Sequence, residues 1–402
     1  LSAEQISVEL QSRTSVSEIQ EFIDQISGFY SLIHRLENKV VAAVDHIRSI
    51  PLYYSTDGDI ISDNPREIVD EVTPPLFDPV LEGEYLLTGY VTGRETLCPT
   101  VHTVEAGEMV IIDNNGGINL EQTVEYCPKT SHKIDETAEA EAKQNLKQAI
   151  VHAVDRLCTV AADRPIYILL SGGHDSKLVL SELVRQEYDP VVAISFGKAD
   201  FDDVTESQRI AEQLNVKRKY VEYTEDSWPD WFQSKTREQY CERRHNMDLF
   251  PVHWAGPALS ELKSRNELPE DAVFVSGQTI GSIGEHLPSQ DQVQTYNELI
   301  DYILEKHYKL WGRDPELSDQ MRDRIDQNCS ALKANGDFES TSDLIQIYAY
   351  WEWKERQSKW MSQDGSLYSH LGYDWWFPLF DKEVMKAWGE LPVSSRKGKS
   401  AL

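Results

Sequence analysis

The chain has 402 residues, with 39 basic and 68 acidic side chains and a formal net charge of −29. This length is enough for two or three domains, and an apolar fraction of 40% supplies the side chains for packed cores. So large an acidic excess repels phosphate backbones and therefore disfavours general nucleic-acid binding, although a local basic groove stays open. It can also keep a protein in solution at high salt, so a salt-loving host and an ordinary acidic protein both stay open.

The cysteine pattern favours free thiols. The five cysteines are Cys98, Cys127, Cys158, Cys241 and Cys329. Their number is odd and no C-x-x-C pair occurs, which is typical of a reducing compartment rather than a disulfide framework. No apolar run approaches the ~18–20 residues that cross a bilayer. We therefore predict a cytoplasmic protein without a membrane span.

The first 120 residues predict an antiparallel sheet. Runs of β-prone residues, separated by turns at 57–59 and 113–117, lie at 28–33, 40–44, 51–54 and 109–112. Short strands joined by turns are typical of hairpins. Helices are predicted near 16–26 and 64–70, and the polar stretch 121–136 is predicted to be a linker.

The remainder of the chain predicts a parallel α/β sheet. Residues 137–160 carry apolar side chains at helical spacing. Continuous apolar runs, as in strands buried on both faces, lie at 165–170, 191–196 and 272–275. Helical stretches separate these runs, which favours parallel strands. From 293 onward the pattern is mostly helical.

A glycine-rich loop, Ser171–Ser176 (S-G-G-H-D-S), follows the first buried strand directly and leads into a helix. Two glycines let the backbone approach a ligand closely, and the start of a helix presents unpaired N–H groups to anions. Ser171 and Ser176 can add hydroxyl donors. Asp175 can bind Mg²⁺, because a hard cation prefers carboxylate oxygen beside phosphate. The loop therefore predicts a site for the phosphates of a nucleotide.

Other interpretations of this loop are less specific. It is neither the G-x-x-x-x-G-K-[ST] loop of kinases and GTPases nor a G-x-G-x-x-G loop. Ser-Gly dipeptides are common in turns, so a turn that merely joins strand to helix is the simplest alternative. His174 fills the variable position of the loop, and we expect it to be a bystander rather than a base.

The loop resembles that of the PP-loop ATP pyrophosphatases, and further segments are similar to the asparagine synthetase family in their order along the chain. In the first domain these are 44–54 (with Pro-Leu-Tyr-Tyr), 62–63, 89–91, 96–97 and 106–107. In the second they are Ser276-Gly277-Gln278, the segment 376–381 and Leu391-Pro392.

The resemblance implies an α+β glutaminase-like domain with an antiparallel sheet, followed by an α/β PP-loop domain of the adenine nucleotide α hydrolase type with a helical C-terminal part. The implied boundaries are 1–120 for a degenerate or truncated glutamine amidotransferase-like domain, 121–136 for the linker and 137–402 for the ATP-binding synthetase domain.

The resemblance also implies a set of site residues. Those that would contact ATP are Leu169, Ser171, Gly172, Gly173, Asp175, Ser176, Ser195, Phe196, Gly277 and Gln278. Asp175 would also bind Mg²⁺. Asp374 and Lys399 fall near the family's catalytic Glu and Lys. The alternatives are a solvated surface acid for Asp374 and a basic tail for Lys399.

Two positions break the family pattern. Members with glutaminase activity begin with Cys, whereas residue 1 here is Leu, so we expect a cap domain without glutaminase activity. Gly281 falls where the family has a metal-binding Asp. One Mg²⁺ ligand would then be lost unless Glu285 replaces it.

The predicted function is ATP-dependent amide-bond formation of the asparagine synthetase type. A carboxylate would be adenylated with release of pyrophosphate, and ammonia or an amine would then displace AMP. The carboxylate could belong to aspartate, as in asparagine biosynthesis, to another small molecule, to a peptide or to a glycan. A PP-loop RNA-modifying enzyme is disfavoured by the acidity and the lack of paired cysteines. A catalytically impaired nucleotide-binding relative is the alternative, and a homodimer is possible.

Overall fold

The computed structural model describes residues 2–69, 77–124, 126, 128, 134–243, 247–312, 315–333, 340–399 and 401. The chain forms two compact units. Unit 1 comprises 1–127, 246–250 and 288–362, and unit 2 comprises 128–245, 251–287 and 363–402. Within the described part of the chain, no helix is both long and apolar enough to cross a membrane.

The secondary structure falls into three stretches. The first contains α1 (Ala3–Gln11), α2 (Val16–Gln25), β1 (Ser31–Arg35), β2 (Lys39–Val44), β3 (Tyr53–Ser55), β4 (Ile61–Ser62), α3 (Pro79–Thr88), β5 (Val101–Thr103), β6 (Glu108–Asp113) and β7 (Ile118–Gln122). The second contains α4 (Glu136–Ala161), β8 (Ile166–Leu169), α5 (His174–Arg185), β9 (Val191–Gly197), α6 (Asp202–Gln213), β10 (Lys217–Glu222), α7 (Ser227–Gln233), α8 (Lys235–Arg243), α9 (Gly256–Ser264), β11 (Val273–Ser276) and α10 (Ser282–His286). The third contains α11 (Tyr296–His307), α12 (Pro315–Lys333), α13 (Thr341–Glu352), α14 (Gly365–His370), β12 (Asp374–Trp376), α15 (Lys382–Glu390) and α16 (Val393–Arg396).

Unit 1 is built on two antiparallel sheets, with strand orders β1-β2-β6-β7 and β4-β3-β5. Side chains alternate across β2, because successive residues of a strand point to opposite faces. Val41 and Ala43 join a buried cluster with α1 and α2, whereas Ala42 and Val44 join a second cluster with Leu52. The larger sheet is therefore covered by apolar side chains on both faces.

A fully buried ion pair ties a distant segment into unit 1. Arg48 lies 2.5 Å from the carboxylate of Asp248, and neither side chain is exposed to solvent. Tyr53 donates a hydrogen bond of 2.8 Å to the other oxygen of Asp248. A buried charge is tolerated only when it is paired and hydrogen-bonded. This requirement accounts for the grouping of 246–250 with the N-terminal strands.

Unit 2 contains a five-stranded parallel sheet of order β10-β9-β8-β11-β12. After β8 the chain adds β9 and β10 on one side, and β11 and β12 follow on the other. The order therefore reverses between β8 and β11. In open α/β sheets, ligands bind beyond the carboxyl ends of the strands at such a reversal. The loop after β8 and the loop after β11 both lie there.

The predicted fold class is confirmed: an antiparallel N-terminal part, a parallel sheet and a mostly helical C-terminal region. The domain boundaries stay a prediction. Residues 288–362 group with unit 1, although the sequence placed them in the synthetase domain. In the predicted linker, β7 extends to Gln122 and α4 begins at Glu136, while 125, 127 and 129–133 lie outside the described residues, as does Leu1.

Candidate functional site

The loop after β8 is held by its own serines. The backbone N–H of Ser171 donates to Ser176 Oγ at 3.2 Å, and the N–H of Gly173 donates to Ser171 Oγ at 3.2 Å. Gly173 is the N-cap of α5 and supplies no side-chain cap. The N–H groups at the start of α5 therefore point into the loop without a capping oxygen, as an anion site requires.

Close backbone packing joins this loop to its neighbours. A Cβ atom added at Gly277 would lie 2.4 Å from the backbone nitrogen of Ser176, so the loop after β11 rests directly on the start of α5. A Cβ at Gly172 would lie 2.7 Å from a carboxylate oxygen of Asp203 on α6. The contact at Gly277 is with backbone, which cannot move aside as a side chain can, so glycine is needed there. The two loops therefore form one cradle.

A lysine and two carboxylates meet at the loop. Lys399 Nζ lies 2.6 Å from Asp175 Oδ2 and 3.0 Å from Glu285 Oε1. Burial raises the pKa of Asp175, although the hydrogen bond and charge of Lys399 act to lower it. Lys399 is thereby placed beside the predicted metal ligand, in agreement with a role at the site rather than in a solvated tail.

The residues present fit a divalent cation. Asp175 Oδ1 has no hydrogen-bond partner among the described residues, so the protein leaves this hard oxygen uncommitted, although it is buried. No group of three or more His, Cys, Asp or Glu side chains in the described part of the chain is arranged to hold a metal alone. A cation bound here would need further oxygens, as Mg²⁺ obtains from substrate phosphates.

Gly281 leaves its position without a carboxylate, and the short helix α10 that follows it carries Glu285. The carboxylate of Glu285 reaches Lys399 from α10. Among the described residues that the sequence singled out, Glu285 is therefore the acid that the fold brings next to Asp175, as expected if it compensates for Gly281. Whether it binds metal stays a prediction.

The residues predicted on β8 and β9 line the carboxyl edge of the sheet. Leu169 ends β8 and pairs with Ile194 and Ser276 in the neighbouring strands. Ser195 Oγ accepts a hydrogen bond of 2.6 Å from Arg218, and the ring of Phe196 stacks on Tyr223 with centroids 5.3 Å apart. The Ser195 hydroxyl is thus already engaged by the protein.

The fold reveals a buried acid that the sequence analysis missed. Gln278 Nε2 donates to Asp364 Oδ2 at 3.1 Å, and Tyr368 donates to the same oxygen at 3.3 Å. Asp364 is only 4% exposed, and burial raises its pKa to about 6. The other oxygens of both side chains, Gln278 Oε1 and Asp364 Oδ1, lack partners among the described residues. No local motif marks Asp364, because it meets Gln278 across 86 residues of chain.

Asp374 is not brought to the loop. It begins β12, where it pairs with Val273, and Val273 in turn pairs with Ile166 at the amino end of β8. The loop lies beyond the opposite end of β8, roughly 10 Å away at about 3.3 Å per residue. The carboxylate is 67% exposed and pairs with Arg164 at 2.6 Å. The expectation that Asp374 joins the site is therefore corrected. The motif match placed it by sequence spacing, but β12 begins with Asp374 and so holds it at the amino ends of the strands, away from the loop.

Comparison with known proteins finds a family match in the segment that contains the loop. A family model for asparagine synthase matches residues 145–238. No curated protein sequence matches the chain. Three solved structures are similar to parts of it, each at low identity. They are an NH3-dependent NAD synthetase from Campylobacter jejuni (13% identity, 47% of this chain and 96% of that chain, TM-score 0.26), an NMN synthetase from Francisella tularensis (12%, 54% and 96%, TM-score 0.27) and a predicted subunit of tRNA methyltransferase from Methanocaldococcus jannaschii (13%, 45% and 90%, TM-score 0.19).

The family match includes β8, the whole loop Ser171–Ser176 and β9. The same segment carries the N-terminus of α5 and the carboxylate of Asp175. It confirms the resemblance to the asparagine synthase family that was drawn from the sequence, in the segment that carries the loop.

Proposed function

We propose that unit 2 binds Mg²⁺–ATP at the loop and uses it to activate a carboxylate for amide-bond formation. The observation that carries this proposal is the meeting of Lys399 and Asp175 at the start of α5. Lys399 reaches this point although 224 residues of chain separate it from Asp175. A cation, a carboxylate and uncapped N–H groups are the groups that binding and cleavage of a triphosphate require.

In this proposal the substrate carboxylate attacks the α-phosphate, and the bond to pyrophosphate breaks. The N–H groups at the start of α5 and the ammonium of Lys399 stabilise the charge that collects on pyrophosphate. Mg²⁺ at Asp175, when bound, supplies further neutralisation of the phosphates. An amine nitrogen then bonds to the acyl carbon, loses a proton, and AMP leaves. AMP is a far better leaving group than oxide, which is the reason for adenylation.

The acceptor and the amine come from the resemblance rather than from a shaped pocket. We propose a small-molecule, peptide or glycan carboxylate and either ammonia or an amine. Gln278 and Asp364 lie at the edge of the cradle and present acceptor oxygens without partners among the described residues. Acceptors of this kind complement the N–H groups of an amine.

One observation favours an alternative function. Gly281 provides no carboxylate, and Asp374 lies at the amino ends of the strands, away from the loop. Two groups expected in a working enzyme are therefore missing from the cradle. A protein of this kind could bind nucleotide without turning it over and act as a partner or scaffold. Release of pyrophosphate from ATP in the presence of candidate carboxylates separates the two functions.

Substitution of the predicted metal ligand tests the site. We expect Asp175→Asn to weaken Mg²⁺–ATP binding at least tenfold in a calorimetric titration, because the phosphates lose their bound countercharge. Asp271→Asn is the matched control, since Asp271 is an exposed acid just before the amino end of β11, at the opposite end of the strand from the loop. Equal affinities of the two variants would remove the basis of the assignment.

A further inference from the structure

The ammonium of Lys399 occupies the position that a metal at Asp175 would need. It touches Asp175 Oδ2 at 2.6 Å and Glu285 Oε1 at 3.0 Å, and its side chain is only 11% exposed. The second oxygen of Asp175 is buried. A divalent cation at Asp175 would therefore lie against the ammonium of Lys399, and the two positive charges would repel each other.

The backbone that presents Lys399 is in an unfavourable conformation. Lys399 has φ 57°, in the left-handed region, and follows Gly398 with φ 66°. A non-glycine residue in this region costs roughly 1–2 kcal/mol. The segment before it is packed tightly on α10, because a Cβ added at Gly284 would clash with the carbonyl oxygen of Arg396. The two carboxylates thus hold a strained residue at the end of an anchored segment.

The phosphates of ATP provide the interactions that would release Lys399 from the two carboxylates. A triphosphate offers Lys399 more negative charge than two carboxylates do, and it also brings the oxygens that Mg²⁺ needs beyond Asp175. Without nucleotide, the described residues offer a metal at most two carboxylates, and both are engaged by Lys399.

We propose that Lys399 closes Asp175 to divalent cations in the nucleotide-free protein, and that ATP phosphates draw the ammonium away so that metal binds only with nucleotide. This inference rests on the proposed nucleotide site. It makes metal and ATP binding positively coupled through one side chain, and coupling of this kind is reciprocal. Its function is to prevent an idle metal from occupying the site and to place Lys399 on the phosphates when the metal enters.

Binding of Mn²⁺ without nucleotide tests the proposal. The free ion is measured by electron paramagnetic resonance in titrations of the wild-type protein and of Lys399→Gln. We expect Lys399→Gln to bind Mn²⁺ at least tenfold more tightly, and Asp175→Asn combined with Lys399→Gln to lose that gain. Lys399→Arg keeps a cation between the carboxylates and should exclude Mn²⁺ as the wild type does.

A control variant distinguishes the contact of Lys399 with the two carboxylates from a general effect of net charge on metal binding. Lys397→Gln removes the same charge from an exposed position two residues away and should leave Mn²⁺ binding unchanged. Equal Mn²⁺ affinity of Lys399→Gln and wild type, or equal gains for Lys397→Gln and Lys399→Gln, overturns the proposal. Calorimetric titration of the wild type with Mg²⁺–ATP tests the proposed function separately. If nucleotide binds but the Mn²⁺ results differ from those expected, the nucleotide site stands and the coupling of metal and ATP binding through Lys399 does not. If nucleotide does not bind, the proposed function itself fails.

Discussion

Asp364 is a carboxylate whose ionisation is governed by burial. Its pKa rises from 3.8 to about 6 because burial penalises the charged form, while the hydrogen bond from Tyr368 opposes the rise. Below pH 3.8 the group is protonated in both the folded and the unfolded chain, so it has no effect on stability. As the pH rises to 6, the unfolded chain ionises first and the folded protein loses stability. Above that, the loss is constant at about 3 kcal/mol.

This behaviour gives a prediction at the residue scale. Asp364→Asn removes the ionisation, so its free energy of unfolding relative to wild type should increase by about 2.4 kcal/mol between pH 4 and pH 7. Urea denaturation across this range measures the difference. Asp271→Asn, which removes an exposed acid, should show no such trend. A difference between Asp364→Asn and wild type that is independent of pH would show that Asp364 ionises normally.

At the scale of elements, the parallel sheet separates what a sequence pattern can identify from what it cannot. The predicted apolar runs are β8, β9 and β11, the three inner strands. The two strands that the pattern missed, β10 and β12, are the edges of the sheet. β10 reads K-R-K-Y-V-E and has one buried residue, and β12 has three residues and none buried. Edge strands are covered less and carry charged residues, so they lack the continuous apolar run that marks an inner strand.

The contact between the loop after β11 and the start of α5 supports a prediction at this scale. Gly277→Ala would place a Cβ 2.4 Å from the backbone nitrogen of Ser176, and backbone at that position cannot yield as a flexible side chain would. We expect the variant to lose about 1–3 kcal/mol of stability, as overpacking typically costs, and to bind Mg²⁺–ATP more weakly. Denaturant unfolding and calorimetry measure the two effects.

Gly312→Ala is the control for this substitution, since no heavy atom lies within 4 Å of the added Cβ. It should leave both quantities close to those of the wild type. If Gly277→Ala also leaves them unchanged, the two loops are farther apart than the structure places them.

At the scale of the whole molecule, the charge of −29 sets how stability depends on salt. Like charges on a compact chain repel one another, and salt screens them, with a Debye length of about 10 Å at 0.1 M and about 3 Å at 1 M. We expect the melting temperature at pH 7 to rise by several degrees between 0.05 M and 1 M KCl. Differential scanning calorimetry measures it.

The same salt series at pH 5 is the control. The isoelectric point calculated from the sequence is about 4.7, so little net charge is left to screen there, and the rise should be much smaller. Equal rises at both pH values would indicate that salt acts through hydration rather than through charge. A large rise confined to pH 7 would favour the salt-adapted interpretation of the composition.

The sequence by itself determined the loop, the inner strands and the resemblance to asparagine synthase around the loop, because each depends on residues that are neighbours in the chain. Two glycines, a serine pair and an aspartate after an apolar run suffice to predict a strand, a tight turn and a helix start. Only the tertiary structure decided which distant groups meet there. It brought Lys399 and Glu285 to Asp175, and it brought Asp364 to Gln278. It also held Asp374 at the amino ends of the strands, away from the loop. The physical reason is that the order and direction of strands, which set these meetings, depend on packing between segments far apart in the chain and leave no periodic pattern in any one of them.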